Sequence, residues 1–348
     1  MKNAEFEIGG RKVGYNYQPI VIAEIGINHS GNLGVAKKMV DSASLAGAEI
    51  IKHQTHVIED EMSKRALKVI PGNSSKSIYE IMKSCALNEE DELELKKYVE
   101  DKGMLFISTP FSREAFYRLE RFNVPAYKIG SGECNNYPLV DLISSKKKPL
   151  ILSTGMNDIK SIRKSIEIIK RNKCPFAILH CTNVYPTPHN LVRLGALEEI
   201  KKEFPGVIFG LSDHSVDNYA CLAAVSMGAS IVERHFTDSR RRKGPDIVCS
   251  MNEGDLRDLL KGVRIMKELR GGRKIPVKEE KVTMDFAFAT VVTIKRVKSG
   301  EIFSDQNIWV KRPGLGKIKA ELYDTIIGKK SKSNLDIDHH LDWKDIEE

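Results

Sequence analysis

Short apolar segments alternate with longer amphipathic segments along most of the chain. Eight of the apolar segments have the continuous hydrophobicity that is typical of buried parallel strands. They are Pro19 to Gly26, Glu49 to Gln54, Leu105 to Thr109, Ala126 to Gly130, Leu150 to Ser153, Phe176 to His180, Val207 to Leu211 and Ile231 to Arg234. A short hairpin around Gly9-Gly10 is expected before the first of them.

The amphipathic segments between these strands carry the start and stop signals of helices. One segment runs from Asn32 to Ala46 and is followed by Gly47, the residue type that most often ends a helix. Polar residues that favour helix starts precede the others, at Asn88, Ser112, Asp158 and Asn252. This regular alternation of strand and helix predicts an α/β fold, a (β/α)8 TIM barrel.

The character of the chain changes after the last barrel helix, near Arg270. Residues 271–284 are rich in Gly, Lys, Arg and Glu and contain Pro276, which indicates a linker. Residues 285–348 contain short strand-like segments, Ala289 to Ile294 and Ile308 to Val310, and predict a small β-rich domain. We therefore expect a barrel domain with its hairpin over residues 1–270, the linker, and the small domain.

Composition narrows the classes of protein that this chain can belong to. The net charge is +8, from 55 Lys and Arg against 47 Asp and Glu, but the basic residues are scattered among acidic ones. This pattern favours a solvated surface over a nucleic-acid partner. The six cysteines show no C-x-x-C spacing, which indicates a reduced, cytoplasmic protein. No long apolar run or signal-peptide pattern is present, so neither secretion nor a membrane partner is expected.

Polar side chains stand at the C-terminal ends of the predicted strands, where TIM-barrel enzymes place their chemistry. Lysines and hydroxyls at one barrel mouth suit a small acid that carries phosphate and carboxylate groups. The strand-end residues are Glu24, Lys52, Gln54, Thr109, Lys128, Ser131, Glu133, Ser153, Asn183, Tyr185, Ser212, His214, Glu233 and His235.

Two of these residues, His214 and His235, end consecutive strands, so their imidazoles are expected on the same rim. We predict that they share a divalent metal ion, in preference to packing or hydrogen-bonding roles. Two protein ligands leave coordination positions open, which indicates a catalytic ion that polarises an aldehyde oxygen. The histidines at 53, 56 and 180 are interpreted as structural.

Five separate stretches have the sequences AEIGINH at 23–29, KHQTH at 52–56, YKIGSGE at 127–133, LSDH at 211–214 and ERHF at 233–236. Together they resemble the sialic acid synthases, the nonulosonate synthase family, over almost the whole chain. Three further stretches, EDEM at 59–62, VIPGN at 69–73 and ECNNYP at 133–138, are most similar to the bacterial N-acetylneuraminate synthases.

The resemblance implies condensation of phosphoenolpyruvate with open-chain N-acetylmannosamine and release of phosphate by C–O cleavage. It also implies a divalent ion on His214 and His235, Mn²⁺ in most members, with Mg²⁺ or Co²⁺ as alternatives. It assigns phosphoenolpyruvate to Lys52, Thr109, Lys128, Ser131, Ser153, Asn183 and Ser212. It assigns the sugar to Glu24, Gln54, Asn73, Tyr185 and Asp246. The residues expected to act in catalysis are Glu24, Lys52, Gln54, Lys128, Glu133 and Glu233.

Two parts outside the strand ends complete this expectation. Residues 56–79, with Pro71-Gly72-Asn73, predict a loop over the barrel mouth. The small domain resembles the antifreeze-like (SAF) domain of the same synthases, which implies a domain-swapped homodimer. Arg312, in the turn Lys311 to Gly314, would then reach the N-acetyl group in the partner's site; taken alone, this arginine is a surface residue.

Three alternatives stay open at this stage. A Schiff-base aldolase would use Lys128 as its nucleophile and would need no metal, which His214 and His235 disfavour. A carbohydrate-binding protein with an inactive barrel is disfavoured by the polar residues at all eight strand ends. A sister synthase that uses a diacetamido sugar and makes legionaminic or pseudaminic acid is disfavoured by the segment 133–138.

Overall fold

The computed structural model describes residues 4–70 and 76–347. The chain begins with an antiparallel hairpin of β1 (Glu5–Ile8) and β2 (Arg11–Gly14). Gly9 and Gly10 form its turn with φ of +53° and +83°, a conformation that glycine adopts without steric cost. Ile8 and Val13 of this hairpin belong to the apolar cluster that fills the N-terminal end of the barrel. The hairpin predicted from the Gly-Gly pair is confirmed.

Eight parallel strands close into a barrel in the order β10-β3-β4-β5-β6-β7-β8-β9. The predicted (β/α)8 architecture is therefore confirmed, and most strand ends differ from the prediction by one residue. The largest differences are in β6, which is shorter than expected, and in β9, which is longer. The strands are β3 (Ile20–Gly26), β4 (Ile50–Thr55), β5 (Leu105–Pro110), β6 (Tyr127–Ile129), β7 (Leu150–Ser153), β8 (Phe176–Cys181), β9 (Ile208–Asp213) and β10 (Ile231–His235).

Helices follow the strands and pack on the outer face of the barrel. The predicted capping residues do cap: the side chains of Asn32, Asn88, Ser112, Asp158 and Asn252 each accept a hydrogen bond from a backbone N–H of the first turn. The helices of this part are α1 (Leu33–Ala46), α2 (Ile58–Glu61), α3 (Ile78–Cys85), α4 (Glu89–Asp101), α5 (Arg113–Phe122), α6 (Tyr137–Ser144), α7 (Ile159–Arg171), α8 (His189–Val192), α9 (Gly195–Glu203), α10 (Tyr219–Ser226) and α11 (Glu253–Leu269).

Strand alternation explains which side chains face the lumen. Ile22, Ile50, Ile107, Ile151 and Ile231 belong to one apolar cluster with Ile20, Ala126 and Leu179. Successive residues of a strand point to opposite faces, so the residue two positions further on shares the luminal face. That rule places Glu24, Lys52, Thr109, Lys128, Ser153, Cys181 and Glu233 in the layer above the apolar one, at the C-terminal end.

The segment predicted as a loop over residues 56–79 is not a continuous loop. It contains α2, a 3₁₀ helix at Lys64–Lys68 and the start of α3. Such short helical turns form hydrogen bonds between backbone groups close in the sequence. They can therefore form although the sequence shows no apolar periodicity here. Asn73, the residue of this segment predicted to bind sugar, lies outside the described residues.

The chain divides into two units, residues 1–271 and 272–348. The second has its own core around Val291, Phe303 and Ile308, with β11 (Thr290–Thr293) antiparallel to β12 (Ile308–Lys311). Its helices are α12 (Lys281–Ala287) and α13 (Tyr323–Ile326), so the last part of the predicted linker is helical. Among the described residues, no helix combines the length and apolar character needed to cross a membrane.

Candidate active site

A cavity of about 120 Å³ opens at the C-terminal end of the barrel. Most of the side chains predicted to form the site line it together. They are Glu24, Lys52, Gln54, Thr109, Lys128, Ser131, Ser153, Asn183, Tyr185, Ser212, His214, Glu233 and His235, with Phe111, Gly130, Gly132 and Cys181 completing the wall.

Two buried lysines and two buried carboxylates form the floor of this cavity. Lys52 Nζ lies 2.5 Å from Glu24 Oε2 and 3.6 Å from Glu233 Oε1. Lys128 Nζ lies 3.1 Å from the same Glu233 oxygen. All four side chains are almost completely buried, so each charge depends on its neighbours for compensation.

The electrostatic balance of this floor differs between the two lysines. Burial opposes the charge on Lys52, but Glu233 and Glu24 outweigh burial and raise its pKa. Burial lowers the pKa of Lys128, and Glu233 does not fully offset this because Lys52 lies close by. Burial disfavours the charged form of Glu233, yet the two lysines hold its pKa down to about 2. The floor therefore keeps an ionised carboxylate between two lysines.

Hydroxyl and amide groups form the wall beside the lysines. Thr109 Oγ1 accepts a hydrogen bond from Lys52 Nζ at 3.1 Å, and Ser131 Oγ accepts one from the backbone N–H of Gly155 at 3.0 Å. Ser153 Oγ is buried and has no hydrogen-bond partner in the part of the chain that the structure describes. Such an orphaned hydroxyl is costly unless a ligand or water completes it, which marks this wall as a binding surface.

The two histidines predicted to bind metal lie side by side above the floor. The ring centroids of His214 and His235 are 5.4 Å apart. His214 Nδ1 faces the carbonyl oxygen of Thr182 at 2.9 Å, so this nitrogen donates and Nε2 carries the lone pair. Burial, followed by His235, lowers the pKa of His214 to about 3, which keeps its imidazole neutral at pH 7.

These residues fit a divalent ion. Two buried atoms of residues that line the cavity, His235 Nδ1 and Glu233 Oε2, make no hydrogen bond to any described residue. Within residues 4–70 and 76–347 no group of three or more His, Cys, Asp and Glu side chains is arranged to hold an ion. The predicted donor set is the two imidazoles, which would leave positions for water and substrate.

Aromatic packing holds the histidine pair in place. The ring of Tyr185 stacks on His214 with centroids 4.0 Å apart and meets the edge of His235 at 5.9 Å. The side chain of Asp246 approaches the pair from the side, with Oδ2 at 3.7 Å from His235 Nδ1. Tyr185 and Asp246, both predicted to bind sugar, thus lie next to the histidine pair.

Two predicted residues of the barrel domain, Glu133 and Asp246, do not line this cavity. Glu133 accepts a hydrogen bond from Asn136 Nδ2 at 2.7 Å and lines a neighbouring cavity of about 420 Å³ with Asp60 and Glu61. Burial raises the pKa of Glu133. Arg312 belongs to the second unit, directly after β12. Asn73 is among the residues that the structure does not describe.

The cavity also contains residues that sequence reasoning missed. Cys181 lies two positions after Leu179 on β8, so strand alternation alone predicts its luminal position. Phe111 follows β5 and stacks on His56 with centroids 4.5 Å apart. No signal in the sequence identified Phe111, because its role depends on a contact between two strand ends.

The sequence is similar to known proteins along almost its whole length. The sequence model of the NeuB family matches residues 39–274, and that of the SAF domain matches residues 288–347. An uncharacterized protein of Methanocaldococcus jannaschii is 36% identical over 344 residues, which is 98% of each chain. The N,N'-diacetyllegionaminic acid synthase of Campylobacter jejuni is 33% identical over 323 residues, 90% of this chain and 96% of the relative.

A solved structure shows the same similarity. The N-acetylneuraminic acid (sialic acid) synthetase of Leptospira borgpetersenii, in complex with citrate, superposes with a TM-score of 0.74 at 29% identity, covering 81% of this chain and 95% of that one. The chain therefore belongs to the NeuB family of nonulosonate synthases and carries a C-terminal SAF domain.

Proposed function

We propose that this protein condenses phosphoenolpyruvate with the open-chain form of an N-acetylated amino sugar, forms a nonulosonic acid and releases phosphate. The observation that carries the proposal is the floor of the barrel, where Lys52 and Lys128 flank Glu233 below the imidazoles of His214 and His235. The two lysines can bind the phosphate and the carboxylate of phosphoenolpyruvate. The imidazole pair can bind a divalent ion that faces the aldehyde of the sugar.

The anion site would be made by charge-assisted hydrogen bonds. Lys52 and Lys128 donate to the phosphate and carboxylate oxygens, and the hydroxyls of Thr109 and Ser153 donate beside them. Ser131, Asn183 and Ser212 line the same wall and complete the predicted phosphoenolpyruvate contacts. Burial of the floor excludes water, which strengthens each of these interactions.

Residues on the other side of the cavity from the proposed phosphoenolpyruvate contacts would hold the sugar and move protons. Glu24 and Gln54 are hydrogen bonded to each other at 2.9 Å and face the histidine pair, where the aldehyde carbon must lie for attack by C3 of phosphoenolpyruvate. When bound by His214 and His235, a divalent ion, by our proposal Mn²⁺, supplies Lewis acidity for the aldehyde oxygen. Glu133 and Glu233 are proposed to position water or to support the residues around them.

For the acceptor we propose N-acetylmannosamine, so that the product is N-acetylneuraminate, from the similarity of residues 133–138 to the bacterial synthases of that acid. A diacetamido hexose is the second candidate, because the Campylobacter relative is an N,N'-diacetyllegionaminic acid synthase and its match covers 90% of this chain. Asn73 and the partner's Arg312 are proposed to complete the sugar site in a domain-swapped homodimer. The six cysteines are free and buried, which supports a cytoplasmic location.

The test is phosphate release from phosphoenolpyruvate, with the product identified by mass. N-acetylmannosamine and a 2,4-diacetamido hexose are offered separately, each with Mn²⁺ and then with excess chelator. Metal-dependent release with the first sugar supports both the reaction and the acceptor. Release with the diacetamido sugar alone keeps the reaction and replaces the acceptor. No release with any sugar, together with borohydride trapping of pyruvate on Lys128, would establish an aldolase instead.

A further inference from the structure

A chain of hydrogen bonds leads from the edge of the barrel mouth to the floor of the cavity. Glu61 Oε2 lies 2.8 Å from His56 Nδ1, and His56 Nε2 lies 3.2 Å from Gln54 Oε1. Gln54 Nε2 in turn donates to Glu24 Oε1 at 2.9 Å, and Glu24 Oε2 pairs with Lys52. The side chains of His56 and Glu61 are 1% and 10% exposed, so this chain is shielded from bulk water.

The orientation of the Gln54 amide decides the protonation of His56. Glu24 is ion-paired with Lys52, which favours its ionised form, and a carboxylate can only accept hydrogen bonds. The NH₂ group of Gln54 must therefore face Glu24, which turns its carbonyl oxygen towards His56. Both ring nitrogens of His56 then face acceptors, a carboxylate at Nδ1 and an amide oxygen at Nε2. An imidazole satisfies two acceptors only when both nitrogens carry hydrogen.

We propose that His56 is an imidazolium held by Glu61, and that it is a positioning residue that fixes the amide of Gln54 and, through it, the carboxylate of Glu24. This inference rests on the proposed function in one respect, because Gln54 and Glu24 are the residues assigned there to the sugar aldehyde. With its Nε2 proton removed, His56 no longer donates to Gln54. The amide is then free to rotate and to turn its oxygen against the Glu24 carboxylate.

The surroundings of His56 agree with a cation at this position. Glu61 from α2 is the carboxylate in direct contact, and the ring of Phe111, after β5, stacks on the imidazole. Stacking of a cation on an aromatic face is favourable. On the far side, Glu61 contributes to raising the pKa of Glu133.

The direct test is ¹⁵N NMR of the protein with labelled histidine, without substrates, at pH 7. The signal of His56 is assigned by its loss in His56→Asn. We expect both ring nitrogens to show the shift of a protonated nitrogen. In Glu61→Gln the amide still accepts from Nδ1 but carries no charge, so at pH 7 the His56 signal should move towards that of a neutral imidazole. A ring nitrogen with a free lone pair in the wild type at pH 7 would overturn the inference.

The second test is the pH dependence of kcat/KM for the sugar. Its basic limb should move to lower pH in Glu61→Gln, because the charge that favours the imidazolium is lost. The matched control is Glu59→Gln on the same helix turn, because Glu59 is 69% exposed and pairs only with the exposed Lys83 among the described residues. A purely structural role for Glu61 would lower the rate without moving the limb, and that result would contradict the proposal.

The two tests separate this inference from the proposed function. A His56 imidazolium that responds to Glu61→Gln, in a protein that makes no nonulosonic acid, would refute the reaction and support the hydrogen-bond chain. A neutral His56 in an active synthase would refute the chain and leave the reaction in place.

Discussion

Lys128 Nζ and Glu233 Oε1 meet at 3.1 Å inside the barrel, although 105 residues separate them in the sequence. The carboxylate also lies 3.6 Å from Lys52, so one acid balances two buried cations. An incoming anion has to share these cations with Glu233. If the proposed function is right, this trio sets the strength of phosphoenolpyruvate binding.

Replacing Lys128 with Met is expected to raise the KM for phosphoenolpyruvate by roughly ten- to a hundredfold, because one charge-assisted hydrogen bond is lost. Glu233 retains Lys52 as a partner, so the fold is expected to persist. Steady-state kinetics measure the effect. Lys201→Met is the control, since Lys201 is exposed and pairs with Glu198 on its own helix. An unchanged KM would remove Lys128 from the binding site.

Gly155→Ala is expected to weaken phosphoenolpyruvate binding through Asn183. A Cβ at position 155 would lie 1.8 Å from Asn183 Oδ1 and 2.8 Å from Ser131 Oγ, so both side chains must move. We expect a KM for phosphoenolpyruvate at least about tenfold higher, the loss of roughly one hydrogen bond to a charged group. Gly195→Ala is the control, because a Cβ there meets no atom within 4 Å. Equal kinetics in the two variants would mean that Asn183 does not contact the substrate.

His214→Ala and His235→Ala are each expected to abolish activity and to weaken Mn²⁺ binding, with circular dichroism unchanged. The reason is that each removes half of the protein's donor set for the ion. Isothermal titration with Mn²⁺ gives a readout independent of turnover. His189→Ala serves as the control, because its imidazole is exposed and pairs with Asp217. Full turnover by His214→Ala in metal-free buffer would refute the metal role.

Mixing subunits tests the swapped arginine. Arg312→Ala and His235→Ala homodimers are each expected to be inactive or nearly so. After mixing, one hybrid site regains both residues if the small domain acts on the partner's barrel, so some activity should return. Activity is measured after the heterodimer has been verified by differential tagging. No recovery in verified heterodimers would place Arg312 outside the partner's site.

Acid is expected to destabilise the barrel partly through His29. Burial, and then His53, lower the pKa of His29 to about 3, whereas an unfolded histidine titrates near about 6.5. Between these values the unfolded chain binds the extra proton, so the stabilisation is complete above pH 6.5 and is lost as pH falls towards 3. The loss is about 1.4 kcal/mol per pH unit in this window.

The variant His29→Gln lacks this titration, so its stability should fall less between pH 7 and pH 5. Stability is measured by urea unfolding followed by far-ultraviolet circular dichroism, which reports mainly the helices around the barrel. Tryptophan fluorescence would report the second unit instead, because both tryptophans, Trp309 and Trp343, lie there. Parallel losses of stability in the wild type and the variant would contradict the assignment.

The sequence by itself determined the architecture and most of the residues that line the cavity at the barrel mouth. Period-two alternation on the apolar strands places Glu24 beyond Ile22 and Lys52 beyond Ile50 on one face, and capping residues such as Asn32 and Asp158 locate the helix starts. These features are local, because they depend on side-chain direction and on backbone groups within one turn. Sequence motifs also indicated the family to which the chain belongs.

Only the tertiary structure decided which of these side chains meet. Closure of β10 onto β3 brings Glu233 between two lysines from different strands, and the short helix α2 brings Glu61 to His56. The histidine at 56 was interpreted as structural because nothing near it in the sequence shows that its two nitrogens face two acceptors. Such pairings depend on how the strands are staggered around the barrel and on where connecting segments pack. Hydrogen bonds and ion pairs act over a few ångströms, so their partners follow from the folded geometry rather than from local sequence.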